Sequence, residues 1–179
     1  MSTEIVRFPE ATQLVTNALQ VTKEQMDDFR VKCQNFTELT EQKPKKTKKH
    51  SMGFHYVDVD EIENRLNELF FGIWSWKIDG DPVIVANEII VHGTLSVFHP
   101  VAMTWIHRSG IGATQIRFEK DSNIGDITKK IKTALQMDAP KASAEAFKNA
   151  AQTLGRVFGR GVRRKETENY NPLIKKVNQ

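Results

Sequence analysis

Between Tyr56 and Ile78 the chain reads YVDVDEIENRLNELFFGIWSWKI, and few local structures satisfy that order. Asp60 stands where a helix N-cap belongs, and Glu63 follows three residues later, as in a capping box. Ile62, Leu66, Leu69 and Phe70 then fall at i, i+4, i+7 and i+8, one apolar stripe of a helix. Gly72 sits where helices commonly stop, and the segment runs on into an aromatic strand over 73–78. The reading is a helix over 60–71 packed on a sheet.

Punctuation organises the rest. Weak helical periodicity over 11–36 (Leu14, Ala18, Val21, then Met26, Phe29, Cys33) predicts one or two helices packed outside the core. Thr40 to Ser51 has lysines and a proline but nothing to bury, so it reads as a linker. Asp79-Gly80-Asp81-Pro82 is a turn. Residues 83–91 and 94–98 follow as strand, with a bulge or bend at His92-Gly93 and an end at His99-Pro100. Val101–His107 and Ala113–Phe118 are further strand, separated by a break at Gly110-Ile-Gly112. The connections are too short for crossovers, so this is an antiparallel meander. Helix is expected at about 126–136 and again at 142–158, where Ala144, Phe147, Ala151, Leu154 and Phe158 share a face. The fold class is α+β: a helix, antiparallel β-meander, helix core with one face of an open curved sheet uncovered, and an N-terminal helical extension. The boundaries are 1–42 for the extension, 43–53 for the basic linker, 54–161 for the core domain and 162–179 for a basic tail.

Charge narrows the partner. Residues 1–42 hold seven acids and four bases, a balance of −3, so with +4 overall the remainder carries +7. Lys43, Lys45, Lys46, Lys48 and Lys49 lie in one run without an acid, and Arg156, Arg160, Arg163, Arg164 and Lys165 make a second. Such tracts are often solvated surface, but two of them point to a polyanion, phosphate being the obvious one. No apolar run is long enough to span a bilayer and the start lacks a signal-peptide core. The lone Cys33 excludes an intramolecular disulfide and fits a reducing cytoplasm.

Catalytic constellations are weak. His92, His99 and His107 fall on the meander without metal-ligand spacing, and Cys33 lacks an activating neighbour. Asp58, Asp60, Glu61 and Glu63 could serve a metal-dependent nuclease, although the start of a helix explains them as well. Neither Ser109-Gly-Ile-Gly-Ala-Thr114 nor Gly155-Arg-Val-Phe-Gly-Arg-Gly161 ends in the Gly-Lys-Ser/Thr of a P-loop, which argues against an ATP-driven recombinase.

Three blocks carry a family resemblance. Tyr56-Val-Asp58, the helix with Leu66-Asn-Glu-Leu-Phe70, then Gly72 and Trp74 resemble the opening of the single-strand annealing proteins of DNA break repair. These are the Rad-fifty-two family and its phage relatives of the Sak and RecT type. Thr104 to Thr114 resembles the family's glycine-bearing strand. Lys130-Ile-Lys132, followed by Ala142–Gly155 with Phe147-Lys148, resembles its lysine pair and final lysine-bearing helix. The likeness covers about residues 54–161, with the blocks in order.

What the resemblance implies is an ATP-independent protein that binds single-stranded DNA and anneals complements, non-enzymatically and without cofactor or metal. It implies phosphate contact by Lys148 in an inner groove, and duplex or second-strand contact by Lys130 and Lys132 on an outer surface. Asn149, Gln152 and Glu61 depart from the family's basic positions, and Arg156 and Arg160 are reasonable substitutes. Arg108, Arg117, Lys120, Arg163 and Arg164 complete the candidate DNA-binding set. The expected partners are single-stranded DNA, annealed duplex, other copies of the chain in a ring or helical filament, and a host single-strand-binding protein or partner exonuclease. The expected setting is the cytoplasm, that of a bacterial host if phage-encoded. Other readings of the same residues are a strand-protecting protein that does not anneal, and the nuclease.

Overall fold

The computed structural model of the chain describes residues 22–119 and 129–162. They form a mixed α+β architecture of three helices and two antiparallel sheets. Helix α1 spans Lys23–Thr40, and its start is a capping box: the Thr22 hydroxyl accepts from Gln25 N at 3.2 Å while Gln25 Oε1 accepts from Thr22 N at 2.9 Å. Most of α1 is exposed, and it meets the body through Phe36, whose ring lies edge-on to Phe70, and through buried Thr40. Residues 1–21 and the tail beyond Val162 lie outside the described residues.

The lysine-rich segment does more than link. Lys48–Lys49 (β1) pairs with His55–Tyr56 (β2) as a small antiparallel hairpin. His50 stacks on Phe54 with ring centroids 4.5 Å apart, and His50 N donates to the Phe54 carbonyl at 2.8 Å. Apolar content is a guide to core but not to hairpins closed by aromatic stacking and backbone bonds.

Helix α2 spans Val59–Phe70 and starts one turn-position earlier than its acid pattern implies. Asp58 is the N-cap, accepting from Val59 N at 3.0 Å, while Asp60 lies inside the first turn and Glu63 is exposed. Ile62, Leu66 and Phe70 are buried as the stripe requires, and Leu69 is half-buried. Phe71 and Gly72 both take left-handed backbone at the exit, so the reversal is shared by two residues.

Four strands follow: β3 (Trp74–Ile78), β4 (Val83–Val85), β5 (Glu88–His99) and β6 (Thr104–Gln115). β5 is the spine. β6 pairs with it along its whole length, from Glu88↔Gln115 to His99↔Thr104, so β3 and β4 share its other side. The bulge expected at His92-Gly93 and the break expected at Gly110-Ile-Gly112 are absent. Gly93 lies under the Trp76 ring, where an added Cβ would also come within 2.9 Å of the Lys77 carbonyl oxygen. Gly110 and Gly112 lie under the last helix. These glycines keep the strands continuous and let neighbours approach.

Helix α3 is one element over Ala134–Gln152 and passes through Pro140. The helix expected at 126–136 is not found in residues 129–133, where Lys130 bridges Phe118 and Ile131 N donates to the Arg117 carbonyl. Leu135, placed on a buried stripe by its spacing, is exposed. Pro140 splits the sequence pattern, yet Ala134 and Asp138 before it and Ala142, Ala146 and Ala150 after it are all fully buried. Packing on the sheet outweighs a proline cost of about 3 kcal/mol. Beyond Gln152 the chain leaves α-helix, and Arg156–Phe158 is a single 3-10 turn with Val157 and Phe158 in the core.

Helices α2 and α3 pack on the same face of the sheet, meeting Leu95 and Val97 there. No described element covers the opposite face. No helix among the described residues is long and apolar enough to cross a membrane.

Candidate nucleic-acid interface

The C-terminal half of α3, the β1–β2 hairpin and the 3-10 turn bring residues about 100 positions apart to one side of the domain. Lys148, on α3, lies with Nζ 5.6 Å from the centroid of the Tyr56 ring. It also pairs with Glu145 at 2.5 Å, and its side chain is only 20% exposed. Next to Tyr56, Lys48 pairs with Asp58, and that hydrogen bond holds the Asp58 carboxyl below its ordinary value. Lys48 is correspondingly raised by the same bond. Two lysines thus face two carboxylates, and this patch is close to neutral.

Uncompensated charge lies beside it. Lys43, Lys46 and Lys49 make no ion pair among the described residues, and neither does half-buried Arg156. Arg160 is held by Glu41. Lys43, Thr47, Arg156 and Arg160 line one cavity of ≈ 230 Å³, so the two basic runs of the sequence meet there. The sequence separates these runs by over 100 positions, and the close approach of Gly155 to Thr40 and the Arg160–Glu41 pair join them.

The other candidates scatter. Arg108 is exposed on β6, and exposed Lys132 and half-buried Lys130 sit in the non-helical approach to α3. Lys130 stands in a bridge with Phe118, and Lys132 lies in a turn closed by Ala134 N donating to the Ile131 carbonyl at 2.9 Å. Lys130 and Lys132 make no ion pair among the described residues. Lys120, Arg163 and Arg164 lie outside the described residues.

Arg117 has a structural employment. Its backbone N–H and its Nε both donate to the Asp138 carboxylate at 3.2 Å, and Lys141 adds a third contact at 3.3 Å. Burial alone would push the fully enclosed Asp138 carboxyl up, but the bonds from Arg117 and Lys141 outweigh it and leave it below the ordinary value. A carboxylate lowered on folding stabilises fully above its unfolded pKa of about 3.9, and that contribution is lost as pH falls through the folded value. Asp138→Asn should therefore be less stable than the parent at pH 7. The gap should narrow progressively as pH falls below about 5 in denaturant melts. A gap independent of pH would remove the ion pair from the account.

Two of the four acidic residues at the start of α2 are similarly occupied. Asp58 caps the helix and holds Lys48, while Glu61 is buried against Arg65 at 3.0 Å. Among the described residues, no three His, Cys, Asp or Glu side chains are grouped to hold a metal. His92 and His107 lie on the uncovered face of the sheet, where His107 Nδ1 bonds Ser96 Oγ at 2.8 Å.

The fold and this surface define an α+β domain in which the lysine segment and the 3-10 turn gather uncompensated cations beside a near-neutral patch of hairpin, aromatic ring and helix. Comparison with family models and with curated proteins gives no match to this chain.

Proposed function

We propose that the chain is a single-strand-DNA-binding protein that anneals complementary strands without ATP, of the single-strand annealing type its sequence resembles. The observation that supports it most is the convergence of the two basic runs, Lys43–Lys49 and Arg156–Arg160, beside the lysine-bearing helix α3. Cations on such a surface hold phosphates of one strand and leave base edges free to pair. Lys130 and Lys132 lie near the opposite end of α3, which is about 27 Å long at 1.5 Å per residue. That separation supports a division between first-strand capture and contact with a second strand or duplex.

On this reading the protein acts by binding alone, in the cytoplasm, as a ring or helical filament of identical subunits. A host single-strand-binding protein or a nuclease that exposes strands would work beside it. The nuclease reading has little support: Asp58 caps a helix and pairs with Lys48, Glu61 pairs with Arg65, and Asp60 and Glu63 are exposed without joining them in a metal-capable group among the described residues.

Oligonucleotide titration tests the proposal. Log affinity should fall linearly with log salt, by about 0.7 per phosphate neutralised on a single strand, and complementary oligonucleotides should anneal faster in the presence of chelator. Salt-independent binding would sink the electrostatic reading; binding without faster annealing would leave only strand protection.

Lys148 gives a sharper check. Lys148→Ala should weaken strand binding and flatten the salt slope by about 0.7, at a stability cost of about 1 kcal/mol for the lost contacts with Tyr56 and Glu145. Glu145→Gln should do the reverse and tighten binding, since it frees the ammonium. If neither variant changes affinity, Lys148 serves packing and not phosphate.

A further inference from the structure

The ≈ 230 Å³ cavity between the lysine segment and the 3-10 turn is a built recess rather than a stretch of basic surface. Lys43 and Pro44 wall one side just past the end of α1, Thr47 adds a hydroxyl, and Arg156, Arg160 and Gly161 close the other. The two sides are pinned together. An added Cβ on Gly155 would lie 2.9 Å from Thr40 Cβ, so these backbones touch. Gly159 and Gly161 take left-handed backbone, and Arg156, Arg160 and Gly161 line the same recess.

Its chemistry is one-sided. Arg156 is half-buried, yet its guanidinium, with five donors, has no hydrogen bond or ion pair among the described residues. A cavity lined by a guanidinium that the described residues leave open, beside Arg160 and Lys43, suits an anion. Arg160 gives one N–H to Glu41, and that is the one hydrogen bond its guanidinium makes among the described residues. Lys43 is unpaired. Three cations against one carboxylate leave about two positive charges around the recess.

We propose that this cavity is a seat for a phosphate monoester, the terminal phosphate of a nucleic-acid strand. Size and charge both favour a terminus over a passing backbone. The volume, ≈ 230 Å³, corresponds to about eight waters at roughly 30 Å³ each, and it falls below the roughly 300–1,000 Å³ of sites that enclose a whole small molecule. A phosphate monoester carries about −1.5 to −2 charges at pH 7, matching the excess, whereas each internal phosphodiester carries one. Arg156 and Arg160 both line the cavity, and a guanidinium can engage two oxygens of a terminal phosphate. The strand as the source of that phosphate rests on the proposed function above; the anion seat itself does not.

The first arm of the test uses inorganic phosphate alone, followed by phosphorus NMR or titration calorimetry on the full chain. The parent should bind it at low salt. Arg156→Gln and Lys43→Gln should each weaken binding on the order of tenfold, as loss of a hydrogen bond to a charged group does. Glu41→Gln should strengthen it by releasing Arg160. Lys43 is exposed, so its variant keeps the test valid if Arg156→Gln folds poorly. No binding by the parent, or equal binding by folded variants, overturns the seat.

The second arm compares one short oligonucleotide carrying a 5′-phosphate, a 3′-phosphate or hydroxyls at both ends. A phosphorylated end should bind at least about fivefold tighter than its hydroxyl twin, and Arg156→Gln should erase that margin. Equal binding of all three overturns the strand end as the ligand. If no oligonucleotide binds while inorganic phosphate does and the variants lose it, the seat stands and the annealing function falls.

Discussion

Gly112→Ala should destabilise the domain by at least about 3 kcal/mol, the upper end of the cost of overpacking. The methyl group would overlap the Ala142 carbonyl oxygen and come within 3.1 Å of Ala142 C, and neither atom can rotate away. Gly110→Ala should behave alike, because its methyl would overlap the Ala146 carbonyl and sit 2.8 Å from Ala150 N. The only relief is for α3 to lift off β6, which uncovers Ile89 and Val91 beneath it. Against a total stability of about 5–15 kcal/mol such a loss leaves little reserve. Ser109→Ala, exposed on the opposite face between them, should stay within about 0.5 kcal/mol. Denaturant melts of the three variants decide it. If Gly112→Ala melts like Ser109→Ala, α3 does not approach the strand this closely.

The same glycines show which parts of the fold the sequence makes legible. Periodicity found α2 and its buried stripe because Ile62, Leu66 and Phe70 are large and report directly on what must leave water. Strand positions were plain only in part: β5 alternates buried and half-exposed residues along its length, but the turn at Ala86-Asn87 splits the stretch read as one strand over 83–91, and β6 begins at Thr104, not Val101. Glycine and proline misled. A glycine in a strand is compatible with a bend or with a close neighbour, and the neighbour lies some 30 residues further on. Pro140 breaks a helix pattern locally, while the alanines on either side that keep the helix together report only through burial on the sheet.

The interface was legible in its residue types and not in its grouping. Lysine and arginine runs announce positive charge, but their sequence cannot say which cations are already paired. Arg117 is committed to Asp138 and Arg160 to Glu41, and Lys148 faces Glu145. Each partner is a single acid with no distinctive spacing from its base, apart from Glu145, three residues from Lys148 on one helix. Lys43 and Arg156 carried no sequence sign of sharing a cavity.

Arg65→Ala should cost about 3–5 kcal/mol, because it strips the cation from a carboxylate that remains enclosed. Arg65 lies in α2 with its side chain 9% exposed, Nε donating to Glu61 at 3.0 Å and the guanidinium also meeting Glu68; Glu61 is itself 11% exposed. Replacing both buried partners removes the unpaired charge, so Glu61→Leu with Arg65→Met should recover most of the loss. Equal destabilisation of the single and double variants would assign the effect to packing of the long side chain instead. The pair also bears on function. Glu61 occupies a position where the resemblance to annealing proteins implies a base, and Arg65 one turn later does not replace it, since two carboxylates and burial hold it from solvent. A double variant that folds should therefore bind oligonucleotides as the parent does, and a marked fall in its affinity would place Arg65 on the strand path after all.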